Sequence, residues 1–151
     1  MIINILTFIN RFFFVLPRVL LNPVFPVFTV FEKKVFEQIT AQIPEEIAVI
    51  LEEHLREVNC VQREGGDRQI KLFNFYIYKM IWSRDHYFEP DEGEHKLLRF
   101  KVSFSTGETL NGTLIVWDGV LLGINFGSYA DDYRKRTDFI VKVRLHLKPG
   151  K

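Results

Sequence analysis

The residues most capable of chemistry lie in one acidic stretch, SRDHYFEPDEGEH, at positions 83 to 95. It contains two imidazoles, His86 and His95, and carboxylates that include Asp91 and Glu94. Imidazole nitrogens and carboxylate oxygens bind zinc and other divalent ions, so this stretch is a candidate metal site or the centre of a hydrolase. The spacing matches no established metal motif, however, and an acidic segment with Pro and Gly is more typical of a solvated loop.

Nucleophilic catalysis and phosphate binding receive less support. The single cysteine, Cys60, follows a predicted helix, whose C-terminal dipole disfavours a thiolate. The chain has no Gly-x-Ser-x-Gly pattern and no glycine-rich loop that opens a helix. One cysteine also allows no internal disulfide, which suits a reducing compartment. We therefore expect a cytoplasmic protein with no cofactor, and a binding function is favoured over an enzymatic one.

The densest charge cluster is the hexapeptide DDYRKR at positions 131 to 136. Arg134, Lys135 and Arg136 could contact an anion such as phosphate. The adjacent aspartates oppose such a site, so a solvated connection is the favoured interpretation. The chain as a whole has a net charge of only +1. Since a nucleic-acid-binding protein usually presents a clearly basic domain or face, no nucleic-acid partner is expected.

The elements that must position these groups are best specified between Leu97 and Gly127, where the pattern predicts three consecutive antiparallel strands. Asp118-Gly119 predicts a two-residue hairpin turn, because both residues tolerate positive φ. Thr106-Gly107 predicts a second two-residue turn, and Asn111-Gly112 a bulge or bend inside the middle strand. Together the two turns predict one core face, which carries Leu98, Phe100, Val102, Phe104, Ile115, Trp117, Val120, Leu122, Ile124 and Phe126.

The opposite face of this meander holds Leu110, Leu114, Val116 and Leu121 in that register. Either another part of the chain covers them, or they form a surface for a protein partner or a second copy. An aromatic group near the acidic stretch, Tyr76, Tyr78 and Trp82, would extend such a surface. A non-enzymatic protein-interaction module is therefore the leading functional hypothesis.

Two amphipathic helices precede the strands. Apolar residues every four positions predict the first helix over residues 31 to 42, and Pro44 is expected to start the second. Strands are predicted at 59 to 63, 70 to 79 and 138 to 147 in addition to the meander. The order predicts an α+β domain over residues 31 to 151, with the N-terminal helix pair packed on one face of an antiparallel sheet of about six strands.

Residues 1 to 30 form an apolar segment that differs from the rest of the chain. Residues 1 to 31 contain only two charged residues, Arg11 and Arg18, and three of the six prolines. The prolines leave no continuous run of the roughly 20 apolar residues that a bilayer span needs. Three interpretations remain open: an extended arm packed on the sheet, an interfacial membrane anchor of a peripheral membrane protein, or upstream sequence that precedes the natural start.

Overall fold

The computed structural model describes residues 28–76, 79–80, 82, 86–89 and 92–146, and it confirms the predicted α+β fold. Residues 1–27 of the predicted N-terminal segment at 1–30 lie outside the described residues, and its three interpretations stay predictions. The helices are α1 (Val30–Thr40) and α2 (Glu45–Glu57). The strands are β1 (Cys60–Glu64), β2 (Gln69–Phe73), β3 (Phe75–Tyr76), β4 (Lys79–Met80), β5 (Glu94–Phe104), β6 (Thr109–Trp117), β7 (Val120–Phe126) and β8 (Phe139–Leu145).

Six of these strands form one antiparallel sheet in the order β1-β2-β7-β6-β5-β8. Strands β3 and β4 form a separate two-stranded sheet among the described residues. The predicted strand over 70 to 79 is therefore wrong as a single element, since it is interrupted at Asn74. The Asn74 amide accepts from Asn59 at 3.2 Å and lies 3.4 Å from a Glu57 carboxylate oxygen, which ties the end of β2 to the end of α2.

Helix α1 begins with a capping box. The Thr29 hydroxyl accepts the N–H of Glu32 at 3.2 Å, and the Glu32 carboxylate accepts the N–H of Thr29 at 2.8 Å. The same carboxylate is 1% exposed and receives two hydrogen bonds from the Arg63 guanidinium, at 2.8 and 2.6 Å. A buried, doubly bonded ion pair thus joins the start of α1 to β1.

Pro44 precedes α2 by one residue and is not its first helical residue, because its ψ of 143° is extended. The predicted stripe of α1 is nevertheless buried, including Phe31, Val35 and Ile39. Within the described residues, no helix is long and apolar enough to cross a membrane.

The hairpin between β5 and β6 differs from the prediction by one residue. Gly107 donates to the carbonyl of Phe104 at 3.0 Å, and Phe104 donates to the carbonyl of Glu108 at 2.9 Å. The loop therefore holds three residues, 105–107, with Gly107 at a φ of +89°. Because side chains alternate between the two faces, this shift turns the whole of β6 over relative to the prediction.

The predicted faces are reversed for β6 and the start of β7. The other predicted core positions are buried as expected: Leu98, Phe100, Val102, Phe104, Ile124 and Phe126. Leu110, Leu114, Val116 and Leu121 are each at most 1% exposed and pack in the core beneath the helix pair. The prediction that they lie on the face opposite the core is wrong. The four residues that the prediction had placed in the core with β5 now lie on the face away from the helices, hereafter the open face: Ile115, Trp117, Val120 and Leu122.

Two bulges change which side chains of the long strands face the core. The pairing of β5 with β6 shifts between Lys96 and Leu98, so that Leu97 and Leu98 are both buried. The pairing of β6 with β7 shifts at Val116, which brings Leu121 into the core. Together with the three-residue loop, these shifts explain why strict alternation from the predicted turns did not give the correct faces.

The predicted bulge at Asn111-Gly112 is also wrong, because β6 pairs continuously through these residues. Gly112 instead makes room for a neighbouring ring. A Cβ at this position would lie 2.2 Å from Cζ of Phe100, its cross-strand partner. Gly123 has a similar role against backbone, since a Cβ there would lie 2.0 Å from the carbonyl oxygen of Ile70.

The outer edge of the sheet at β8 is partly covered by α1. Gln38 accepts the N–H of Val141 at 2.8 Å and donates to the carbonyl of Phe139 at 3.2 Å. Gln42 donates to the carbonyl of Val141 at 2.8 Å. These amides occupy backbone groups that would otherwise offer an edge for another strand.

Candidate functional site

The predicted partner surface is not assembled in this structure. Its four aliphatic members, Leu110, Leu114, Val116 and Leu121, are core residues. Of its aromatic members, Tyr76 lies in β3, Tyr78 lies outside the described residues, and Trp82 packs edge-on against the His54 ring at 5.5 Å.

The candidate metal ligands are spread over several local contacts. The His86 Nδ1 atom lies 2.6 Å from a carboxylate oxygen of Glu53 on α2, and the His95 ring contacts the carbonyl of Glu92. Glu94 is opposite Trp117 in the β5–β6 pair, and Asp91 lies outside the described residues. Among the residues that the structure describes, no three His, Cys, Asp or Glu side chains cluster as a metal site would require. The metal-site hypothesis stays a prediction.

Two of the three predicted anion-binding cations are engaged by carboxylates. Arg134 binds Asp67 in a bidentate pair at 2.6 and 2.7 Å, and Asp67 is 4% exposed. Arg136 binds Asp138 at 2.6 Å and Glu108 at 2.8 Å. The hydrogen bonds from Arg136, and then from Ser105, hold the pKa of Asp138 well below its usual range. Lys135 is exposed. These guanidinium groups stabilise the fold, and an anion would have to displace their carboxylates.

A buried histidine that the sequence reasoning missed lies between α2 and the β6–β7 hairpin. The Nδ1 atom of His54 accepts the N–H of Leu121 at 3.3 Å, and Nε2 lies 3.0 Å from the carbonyl oxygen of His86. Because a carbonyl only accepts, Nε2 carries the proton and the ring is neutral. Burial lowers the pKa of His54, although the charges of Glu57 and Glu53 oppose this effect.

The position of His54 was readable from its spacing, since it falls three residues after Leu51 and four before Val58 on the buried stripe of α2. Both ring nitrogens are engaged and the side chain is 1% exposed. The ring is therefore a structural link between α2, the segment at 86–88 and β7, and is not placed to meet a substrate.

The open face of the sheet concentrates positive charge. Arg99 on β5 is directly opposite Arg144 on β8, and Lys101 is directly opposite Lys142. All four side chains are exposed, and we call them the basic block. Like charges directly opposite each other on a sheet destabilise the pairing. Within the described part of the chain, the salt bridges include none of the four.

The neighbours of the basic block are mostly neutral. Asn111 pairs with Lys101 and Thr113 with Arg99, and both lie on the same face. Lys96 adds a further exposed cation on β5, opposite Ile115. Trp117, at the end of β6, is 51% exposed. As far as the structure describes it, the face thus combines cations outside any salt bridge, hydrogen-bonding side chains and one exposed indole.

Two carboxylates of the open face, Glu94 and Glu64, lie away from the basic block. Glu94 is opposite Trp117 at the far end of the β5–β6 pair. Glu64 lies across the sheet on β1 and is held by Lys71 at 3.0 Å. Neither is positioned to neutralise the four central cations.

Comparison of the chain with protein-family models, with curated proteins and with solved structures found no match. Function must therefore be inferred from the geometry of the described residues.

Proposed function

We propose that the chain is a non-enzymatic binding module, and that its binding surface is the open face of the sheet, where it holds an anionic partner. The observation that carries the proposal is the basic block, with Arg99 opposite Arg144 and Lys101 opposite Lys142. An anion placed across these pairs removes the repulsion between them and gains attraction from all four charges.

Edge protection accounts for only half of this arrangement. Cations on an edge strand discourage pairing with other chains, and this reason suffices for Lys142 and Arg144 on β8. It does not apply to Arg99 and Lys101, because β5 is paired on both sides. A neutral or acidic residue at either position would stabilise the same pairing, so the two cations call for a reason outside the fold.

The proposal differs from the sequence-based hypothesis in its surface. The non-enzymatic binding role is the same, but the sequence-based hypothesis named a protein partner or a second copy, and the partner proposed here is defined by its negative charge. The surface moves from the buried set around Leu114 to the exposed cations of β5 and β8.

Retention on heparin, a sulfated polysaccharide, tests the proposal. The wild-type protein should be retained at low ionic strength, and Lys101→Glu/Lys142→Glu should flow through. The matched control, Lys33→Glu/Arg56→Glu, changes the net charge equally on exposed positions of α1 and α2 and should still be retained. Equal loss by both variants, or no retention of the wild type, would refute a local binding face.

The milder variant Lys101→Gln/Lys142→Gln separates binding from folding. It should also lose retention, while its urea midpoint should equal or exceed that of the wild type, since the repulsion between the paired lysines is removed. A lower midpoint would mean that the lysines support the fold.

A further inference from the structure

We infer that the anionic partner is single-stranded nucleic acid, whose phosphates lie along the basic block and one of whose bases stacks on Trp117. This inference rests on the proposed binding role of the open face. It runs against the expectation from net charge, because a net charge of +1 does not report how charge is distributed over the surface.

The spacing of the cations suits a linear polyanion. Side chains two residues apart on one strand are about 6.8 Å apart, and neighbouring strands are about 4.8 Å apart. The block therefore forms two short parallel rows, Arg99 with Lys101 and Arg144 with Lys142. Lys96 continues the β5 row beyond the bulge. A chain of phosphates laid along β5 meets successive positive charges, which a single small anion would not use.

The neutral side chains beside these rows suit bases and sugars. Asn111 and Thr113 can each donate and accept hydrogen bonds, and they lie next to the β5 cations on β6. Trp117 offers an exposed aromatic plane at the end of the same strand. Stacking of a base on an aromatic side chain is a main source of affinity for single strands. Glu94 opposite Trp117 repels phosphate, so the backbone is expected to leave the face there.

The shape of the face disfavours the other polyanions. The major groove of duplex DNA admits a helix or a two-stranded ribbon, whereas the basic block lies flat on a six-stranded sheet backed by helices. An anionic bilayer would also neutralise the cations, but it would give no specific role to the hydrogen-bonding side chains of Asn111 and Thr113 beside them. Single strands are commonly bound on open sheets of this kind.

Fluorescence anisotropy with labelled oligonucleotides of about 12 nucleotides tests the inference, since known single-strand sites cover roughly 4 to 16 nucleotides. Oligo(U) RNA and oligo(dT) DNA are compared, because both carry a phosphate backbone and the comparison shows which kind of single strand binds more tightly. The logarithm of the binding constant should fall with the logarithm of salt concentration with a slope of about −3, because four contacted phosphates contribute about −0.7 each. Lys101→Gln/Lys142→Gln should reduce this slope to about half, and Lys33→Gln/Arg56→Gln should leave it unchanged.

The stacking part is tested by Trp117→Ala, which should weaken oligonucleotide binding by about tenfold or more, while Trp117→Phe should retain most of the affinity. The urea midpoint of each variant identifies any loss of fold. Binding of a duplex of equal length as tight as that of the single strand, together with no effect of Trp117→Ala, would overturn the inference. Binding to phosphatidylserine vesicles and not to either oligonucleotide would also overturn it, and retention on heparin would then still support an anionic partner.

Discussion

Acidification should destabilise this fold through a single buried imidazole. His54 is neutral, with one nitrogen accepting from the N–H of Leu121 and the other donating to the carbonyl of His86. Protonation of Nδ1 would place a second donor against the Leu121 N–H and a charge in a site 1% exposed. It would therefore remove a hydrogen bond and add an unfavourable buried charge.

The sign and size follow from linkage. The pKa of His54 is lowered in the folded state by burial, while in the unfolded chain it is near the ordinary value of about 6.5. Below that pH the unfolded chain binds the proton first, so the free energy of unfolding decreases as pH falls. The limiting slope is about 1.4 kcal/mol per pH unit, which amounts to at most about 1.4 kcal/mol between about pH 8 and about pH 5.5.

The groups around His54 can titrate as well, so the assay needs matched variants. Glu53 and Glu57 on α2 and the His86 ring all face it. Urea unfolding followed by tryptophan fluorescence would be compared for the wild type, His54→Phe and His146→Gln, the last being an exposed control. His54→Phe should be less stable at pH 8, because it leaves two backbone groups unpaired at about 1–3 kcal/mol each.

The decisive quantity is the loss of stability between the two pH values. It should be clearly smaller in His54→Phe than in the wild type, and unchanged in His146→Gln. An equal loss in all three proteins would refute the assignment of the acid sensitivity to His54. Titration of the His54 ring by NMR at its ordinary pKa in the folded protein would refute it too.

Two further substitutions test contacts within the fold, one in an ion pair and one in the core. Glu32→Gln should destabilise the fold by about 1–3 kcal/mol, since it removes the negative charge from a buried group that accepts two hydrogen bonds from Arg63. The exposed Glu37→Gln on the same helix should change urea stability by less than about 0.5 kcal/mol. Equal effects would contradict a structural role for the pair. Gly112→Ala should lower the free energy of unfolding by about 1–3 kcal/mol, because its Cβ would overlap the Phe100 ring. Gly127→Ala should change it little, since the nearest atom to its Cβ would be 3.8 Å away. Adding Phe100→Leu to Gly112→Ala should restore part of the lost stability, and no rescue would exclude that contact as the cause.

The helices could be predicted because their signals are local. The stripe of Phe31, Val35 and Ile39 recurs at the helical period, and it is buried in the folded protein. The α+β class follows from two such helices before a series of strands, and it needs no knowledge of which strands are neighbours.

The register of the meander could not be predicted because both faces of β6 are apolar. Leu114 and Val116 alternate with Ile115 and Trp117, so hydrophobicity alone gives no preference for one face. The choice is made by contacts distant in sequence, including the Phe100 ring that packs over Gly112. Two predicted turns that agreed with each other were still insufficient, because the β5–β6 loop holds three residues and each of the two long pairings contains a bulge.

The candidate site escaped prediction for a related reason. The cations of β5 and of β8 were each visible as the polar side of a strand. Their juxtaposition depends on β5 pairing with β8, about 40 residues later in the chain, and strand order is not encoded in local periodicity.

Three arginines outside the basic block differ from it in their partners. Where an arginine supports the fold, a carboxylate meets it: Arg63 binds Glu32, Arg134 binds Asp67, and Arg136 binds Asp138. Among the described residues, the four cations of the basic block are in no such salt bridge, although they are directly opposite one another and two of them lie on a strand with no exposed edge. Substitution of a residue that serves stability is expected to destabilise the fold. Substitution of a cation that serves binding is expected to preserve or raise stability and to weaken binding. A variant that keeps or gains stability and at the same time loses binding therefore distinguishes a binding face from a merely solvated one.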